Sequence, residues 1–135
     1  MIMKKPMIDT VILQYASAHH DFPIDLIRNQ YPELKTVIKH VIQLPILCHA
    51  SQNPKAGSTI SISYTADQVL LELFSLEKYI KAFIGHKTVR DLEYFTQAIA
   101  IECQNALKVE VTVQADIILE GLNQSQVITI TVPQI

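Results

Sequence analysis

The sequence predicts an α+β fold in which two helices cover one face of a four-stranded antiparallel sheet. Apolar and polar side chains alternate within residues 36–64 and again within residues 109–132. Between these segments the apolar residues recur at helical spacing. The length of 135 residues, 49% of them hydrophobic, suits a single compact domain. We therefore predict the element order ββααββ from residue 36 onward, preceded by a short N-terminal helix.

The first 35 residues are expected to form an N-terminal helical extension of the domain that spans residues 36–135. Between residues 7 and 20 the apolar side chains recur at helical spacing, at Ile8, Val11, Ile12 and Tyr15. Residues 24–28 are expected to form a second, turn-like piece that ends before Pro32.

Four segments have the alternation of half-buried strands. The first two lie within residues 36–47 and 58–64, and each is bounded by Pro, Gly or Asp. The last two, residues 109–115 and 127–132, are separated by turn-forming residues 121–124. Both pairs have links that permit antiparallel hairpins.

Two amphipathic helices are predicted between the strand pairs. The first carries Leu73, Leu76, Ile80 and Phe83 on one face and ends near Gly85. The second has an apolar stripe that consists of Val89, Leu92, Phe95, Ile99, Cys103 and Ala106. Cys103 is therefore predicted to pack in the core.

The sheet face opposite the helices is predicted to be polar. Its alternate residues are Ser and Thr in the second and fourth strands, and Thr112 and Gln114 in the third, which suits a solvated face or a polar barrel interior. Because an open sheet leaves unpaired backbone groups at both edges, we expect a symmetric homo-oligomer.

Composition excludes several classes of partner. The net charge of −2 does not favour nucleic acid. No run of apolar residues approaches the roughly 18 that a membrane span needs, so we expect neither a membrane partner nor a membrane location, and a cytoplasmic protein is the default. The two cysteines, Cys48 and Cys103, are predicted to be free thiols.

Cys48 is the candidate nucleophile, because it lies where the first strand enters a turn-rich segment. From Cys48 to Lys55 the sequence is Cys-His-Ala-Ser-Gln-Asn-Pro-Lys, and a second segment, from Glu72 to Tyr79, is Glu-Leu-Phe-Ser-Leu-Glu-Lys-Tyr. A small buried hydrophobe is the alternative role for a lone cysteine.

These segments and the ββααββ order resemble the tunnelling-fold (T-fold) superfamily, and within it the cyano-deazaguanine (nitrile) reductase family of the queuosine pathway. The nucleophile motif of that family, C-P-V-T-G-Q-P-D, matches in the Cys, the hydroxyl residue three positions on, the amide before the proline, and the proline. Its second motif, E-[SL]-K-[SA]-x-K-[LY]-[YFW], matches at Glu72, Leu73, Ser75 and Tyr79. The resemblance covers roughly residues 44–114.

The resemblance implies subunits that assemble into barrels with active sites between them, a deazapurine or pterin-like ligand, and NADPH as the cofactor. It implies Cys48 as the covalent nucleophile and Glu72 and Ser75 as substrate-binding residues. His86 matches the family's F-x-x-H, and either Glu93 or Asp91 matches the carboxylate that anchors the ring.

The chain departs from the family at three motif positions. Lys55 stands where the family has its general acid, and Phe74 and Glu77 replace the two lysines of the NADPH motif. Lys78 and Lys81 are the remaining cations there. GTP cyclohydrolase, a more distant member, has a zinc-binding histidine pair that falls on Ala50 and Ser51, so we expect no metal.

Thiolate addition to a nitrile carbon needs a proton donor, and His49 and Lys55 are the candidates closest to Cys48 in the sequence. A solvated surface position is the alternative for His49, and an exposed helix charge is the alternative for Glu93. Stabilisation of the helix dipole is the alternative for Glu72. Two functions follow: an enzyme of this family, or a ligand-binding or scaffolding oligomer without catalysis.

Overall fold

A computed structural model describes residues 11–134 of the chain. It contains seven strands and two helices. The strands are β1 (Val11–Tyr15), β2 (Ile24–Arg28), β3 (Val37–Gln43), β4 (Thr59–Thr65), β5 (Val69–Leu71), β6 (Val111–Ile118) and β7 (Ser125–Val132). The helices are α1 (Leu73–Lys81) and α2 (Leu92–Leu107). The predicted α+β class is confirmed, and the four-stranded sheet takes two strands before the helix pair and two after it. Strand β5, which lies between β4 and α1, was not predicted.

The four predicted strands form one antiparallel sheet in the order β3-β4-β6-β7. Ile42 lies opposite Ile60, Ile60 opposite Ala115, and Ala115 opposite Ile128, so apolar side chains form a row across one face. Since side chains alternate between faces, this register places the apolar set of every strand on the same side. Helix α2 packs against β6 and β7 on that side.

The opposite face of this sheet is polar, as the alternation predicts. Ser61, Ser63, Thr112, Gln114 and Thr129 belong to it, and Thr112 and Thr131 share a 3.1 Å hydrogen bond across β6 and β7. Valines are exposed at the edge strands β3 and β7, namely Val37, Val41 and Val127.

The expected N-terminal helix is wrong, because the described part of that segment consists of strand β1 and the loop after it. The turn-like piece at residues 24–28 is strand β2. The start of the expected helix, residues 7–10, lies outside the described residues. Strands β1, β2 and β5 form a second antiparallel sheet with β2 in the centre. Adjacent β-branched Val11 and Ile12 favour a strand, and pairing with β2 outweighs the helical spacing of the apolar residues.

Helix α2 lies against both sheets, since it contacts β6 and β7 of one and β1, β2 and β5 of the other. Its core side chains include Phe95 and Ile99, which are 2% and 0% exposed. The Phe83 ring stacks edge-on against Phe95 and Tyr79, with ring centres 5.4 Å and 5.5 Å apart. The second sheet therefore covers the side of α2 that the four-stranded sheet leaves open.

Both helices begin at acidic N-cap residues, Glu72 for α1 and Asp91 for α2. Lys108 caps the C-terminal end of α2: its φ of 67° is in the left-handed region, and its N–H donates to the Gln104 carbonyl. Among the described residues, neither helix is long and apolar enough to cross a membrane.

We expect truncation of Ile99 to destabilise the fold strongly. Ile99→Ala removes a fully buried side chain from α2 and leaves a cavity, so the free energy of unfolding falls by about 3 kcal/mol. Ile101→Ala, on the same helix at a residue that is 50% exposed, is the control and costs less than about 1 kcal/mol. Urea denaturation measures both, and equal losses would contradict the placement of α2.

Candidate functional site

A cavity of about 700 Å³ opens beside Cys48. Three parts of the chain line it: the turn that begins at Leu47, the segment from Phe83 to the start of α2, and Leu119 after β6. Its wall includes the buried rings of Phe83 and Phe95. Polar residues also line it, namely Cys48, His49, Ser51, Asn53, His86, Lys87, Arg90 and Asp91. A concave site that combines apolar side chains with hydrogen-bonding groups is suited to a small polar molecule.

The turn that carries Cys48 is held by backbone hydrogen bonds. The N–H groups of Leu47 and Cys48 both donate to the Asn53 carbonyl at 3.0 Å, and the Gln52 N–H donates to the Cys48 carbonyl at 2.8 Å. The Asn53 side-chain oxygen accepts from the Glu120 N–H at 2.6 Å. The turn is thereby fastened to the end of β6, which places the thiol at the cavity.

Cys48 has a thiol pKa below its usual value of 9.0. A hydrogen bond from the Ser51 hydroxyl is the largest cause, followed by the Ser51 backbone N–H. The Ala50 N–H and the charge of Arg90 also lower it, while burial opposes them. Since the thiolate is the nucleophilic form of cysteine, this setting favours reactivity. By contrast, Cys103 is fully buried, and burial raises its pKa to about 12.

His86 lines the cavity, but the protein occupies both of its ring nitrogens. Nε2 donates to the His19 carbonyl at 2.8 Å. Nδ1 accepts from the Val89 N–H at 2.9 Å and from the Thr88 N–H at 3.1 Å. Because a carbonyl only accepts and an N–H only donates, these partners define the neutral tautomer with its proton on Nε2.

The two carboxylates that the resemblance left open lie in different places. Asp91 lines the cavity, and its Oδ1 caps α2 by accepting from the Tyr94 N–H at 2.6 Å. Glu93 is outside the set of lining residues, and its Oε2 accepts from Gln126 Nε2 on β7 at 2.7 Å. The structure therefore brings Asp91, rather than Glu93, to the cavity that contains Cys48.

Glu72 and Ser75 lie at the start of α1, and neither lines the cavity beside Cys48. The buried Glu72 carboxyl group accepts from the N–H groups of Ser75 at 2.7 Å and Phe74 at 3.0 Å. The Ser75 hydroxyl accepts from the Asp25 N–H of β2 at 2.9 Å. These side chains thus cap the helix and join it to the second sheet.

Of the two proposed proton donors, His49 lines the cavity and Lys55 does not. The Lys55 Nζ atom lies 3.9 Å from Glu120 Oε1, and both side chains are about half exposed. The Lys55 N–H donates to the Ile118 carbonyl at 2.8 Å. The cation at the position of the family's acid therefore pairs with a surface carboxylate.

Sequence reasoning missed Arg90 as a site residue. Arg90 directly precedes the cap of α2, where no motif marks it, and it meets Cys48 only through the fold. Ser51 matched the hydroxyl position of the nucleophile motif, which was the available signal for its effect on the pKa of the thiol.

Among residues 11–134, no three His, Cys, Asp or Glu side chains are grouped so that they could hold a metal ion. No protein-family model matches the chain, and no curated protein sequence matches it. The interpretation of the site therefore depends on the geometry around Cys48.

We expect the alkylation of Cys48 by iodoacetamide to have its pH midpoint below that of an ordinary thiol. Ser51→Ala and Arg90→Gln should each move the midpoint upward, because each removes a group that stabilises the thiolate. Lys39→Gln, which removes a cation from the polar face of the sheet, is the control and leaves it unchanged. Rates come from intact mass against pH. A midpoint unaffected by Ser51→Ala would contradict the hydrogen bond.

We expect Glu72→Ala to lower the free energy of unfolding by about 1 kcal/mol or more, since it leaves two N–H groups at the start of α1 without their acceptor. Glu77→Ala, in the exposed i,i+4 pair with Lys81, is the control and costs less than about 0.5 kcal/mol. Thermal and urea denaturation compare the two. Equal stability of Glu72→Ala and the wild type would leave the cap without an energetic role.

Proposed function

We propose that this chain is a T-fold protein that binds a flat, nitrogen-rich ring of the deazapurine or pterin class beside Cys48 and uses Cys48 as a covalent nucleophile. The main support for the proposal is that a thiol with a lowered pKa, Cys48, and a carboxylate, Asp91, line the same cavity. The resemblance assigns these two roles to residues in the same relative order along the chain.

The cavity suits a ring of this kind in size and lining. Its volume of about 700 Å³ lies in the range of small-molecule sites. Phe83 and Phe95 lie behind this lining and give the cavity an apolar base. Asp91 uses Oδ1 for the helix cap, and Oδ2 makes no hydrogen bond with the described residues, so it can accept from a ring N–H.

The proposed covalent step is addition of the Cys48 thiol to a nitrile on the ring. The thiolate sulfur forms a bond to the nitrile carbon, one carbon–nitrogen π bond breaks, and the nitrogen takes up a proton to give a thioimidate. The step neither oxidises nor reduces the reactants. His49, which shares the cavity wall with Cys48, is the proposed proton donor. Lys55, the other donor considered from the sequence, lies outside the cavity and pairs with Glu120.

NADPH is the reductant that the resemblance names, but the residues of α1 fit it poorly. Phe74, in place of a lysine, is 68% exposed, and Glu77 lies 3.9 Å from the Lys81 ammonium. Lys78 is the other cation of this helix segment. Because this segment provides no cationic cluster for phosphates, we derive no hydride step, and nitrile reduction remains only the nearest known activity.

A binding module without catalysis is the second candidate, and the position of Lys55 favours it. A cation that pairs with Glu120 outside the cavity replaces the acid that the family uses for proton transfer. In this alternative Asp91 and the apolar base of the cavity hold the ring reversibly, and Cys48 forms no bond.

We further propose that the chain acts as a homo-oligomer. Strands β3 and β7 end the four-stranded sheet, and each has a partner on one side only among the described strands. Antiparallel or parallel pairing of these edges between copies satisfies their backbone groups and continues the polar face into a barrel interior. The candidate substrate-binding residues Glu72, Ser75 and Glu93 stay assigned to such an assembly by the resemblance.

The test is incubation with cyano-deazaguanine, with and without NADPH, followed by intact mass and NADPH absorbance. We expect a mass gain equal to one ligand molecule, because addition releases no fragment. Cys48→Ala should abolish the adduct. Cys103→Ala, which removes the buried thiol, is the matched control and should retain it.

The remaining outcomes separate the alternatives. Consumption of NADPH with loss of the adduct establishes reduction. A thermal shift with the ligand but no adduct supports the binding module. If neither an adduct nor a thermal shift occurs with cyano-deazaguanine, guanine or pterin, the ring-binding proposal is wrong.

A further inference from the structure

We propose that Glu102, a buried residue of α2, is a positioning residue for the Cys48 cavity and acts through a chain of hydrogen bonds that ends at the cavity wall. The chain runs from the Glu102 carboxyl group through Ser17, the backbone of His19 and the ring of His86 to Val89. This inference rests on the proposed function for the identity of the ligand, but the hydrogen bonds and their effect on Cys48 do not require a ligand.

The first link is the anchoring of the β1–β2 loop. Glu102 is 2% exposed. Its Oε1 accepts from the Ser17 hydroxyl and from the Tyr79 hydroxyl, each at 2.7 Å, and its Oε2 accepts from the Ala18 N–H at 2.7 Å. A buried carboxyl group with three short hydrogen bonds to other segments joins both helices to the loop.

The second link passes from this anchor to His86. The Ser17 hydroxyl, which donates to Glu102, accepts from the His19 N–H at 3.0 Å. The carbonyl of the same residue, His19, accepts from His86 Nε2 at 2.8 Å. Ser17, His19 and His86 each donate a hydrogen bond on the side toward Glu102 and accept one on the side toward Val89. All the bonds of the chain therefore run in the same direction, and each has one donor and one acceptor.

The third link reaches the residues that face Cys48. The Nδ1 atom of His86 accepts from the N–H of Val89, whose side chain is 4% exposed and packs in the core. Arg90 and Asp91 follow directly and line the cavity. Since His86 uses both ring nitrogens for the protein, its part in the site is to hold this wall in place.

Ring packing supports the same connection. The His19 ring lies with its centre 6.0 Å from that of Phe83 and 6.1 Å from that of Tyr94. Phe83 itself lines the cavity, and Tyr94 is in the first turn of α2. Displacement of His19 from its hydrogen bonds therefore disturbs the cavity wall by contact as well as through His86.

The test uses Ser17→Ala, which removes one hydroxyl from the chain and leaves Glu102 with its bonds to Ala18 and Tyr79. Thr96→Val is the matched control, because it removes a buried hydroxyl of α2 that donates to the Leu92 carbonyl at 2.7 Å and has no part in the chain. Amide hydrogen exchange by NMR and the pH midpoint of Cys48 alkylation are measured for both, without ligand.

We expect Ser17→Ala to accelerate exchange of the His19 and Val89 amides about two- to tenfold, which corresponds to the loss of one hydrogen bond. We also expect an upward shift of the Cys48 midpoint, because Arg90 is held less firmly near the thiol. Once its effect on global stability is taken into account, Thr96→Val should change neither the exchange rates of the His19 and Val89 amides nor the pH midpoint of Cys48 alkylation.

Three results would overturn the inference. Faster exchange at His19 alone means that the chain does not reach Val89. Equal acceleration in Thr96→Val means that the effect is general destabilisation. Faster exchange at Val89 with an unchanged Cys48 midpoint means that the hydrogen bonds are structural only. Failure of ring binding in the ligand experiment changes none of these readings, so the two proposals fail separately.

Discussion

The structure depends on the burial of α2 between two sheets. One side of the helix packs on β6 and β7, and the other meets β1, β2 and β5. A helix so enclosed cannot keep a broad polar face, and each polar group that remains inside needs a partner. Thr96 donates to the carbonyl one turn back, while Glu102 accepts three hydrogen bonds, two from the β1–β2 loop and one from α1. The hydrogen bonds of Glu102 satisfy its buried carboxyl group and also connect the β1–β2 loop to both helices. A buried acceptor left without a partner would cost about 1–3 kcal/mol.

The sequence predicted the four-stranded sheet and the two helices well because the apolar residues of these elements recur regularly on one face over many residues. Strand β6 alternates fully buried and more exposed residues over its whole length, so period two is unmistakable. The N-terminal prediction was wrong for the opposite reason: β1 has exposed Val11, Ile12 and Leu13, and its partner strand decides its conformation. Strand β5, with only three residues, is too short for any periodicity to show.

The sequence singled out Cys48, which lines the cavity, but only some of the groups around it. The prediction placed Cys48 at the end of a strand within residues 36–47, whereas β3 ends at Gln43 and Cys48 lies in the turn that follows. The family motif left Asp91 and Glu93 as alternatives for the proposed ring-binding carboxylate. Only the tertiary structure separates these two residues. Asp91 caps α2 at the cavity, whereas Glu93, in the first turn of the helix, accepts from Gln126 on β7. The same limit applies to Arg90, whose distance from Cys48 along the chain conceals their proximity. The local sequence shows which reactive side chains are present, whereas the conformation of the loop between the helices determines which of them lie beside Cys48.

The contrast between the two cysteines has a practical meaning for the folded state. Cys48 is partly exposed, while Cys103 is fully enclosed in α2 between the two sheets. A thiol reagent in excess should therefore count one sulfhydryl per native molecule and two per unfolded molecule. Because Cys103 becomes accessible only when the sheets separate from α2, its labelling rate follows the opening of the core. Labelling of Cys103 thus reports on global unfolding, and labelling of Cys48 reports on the cavity.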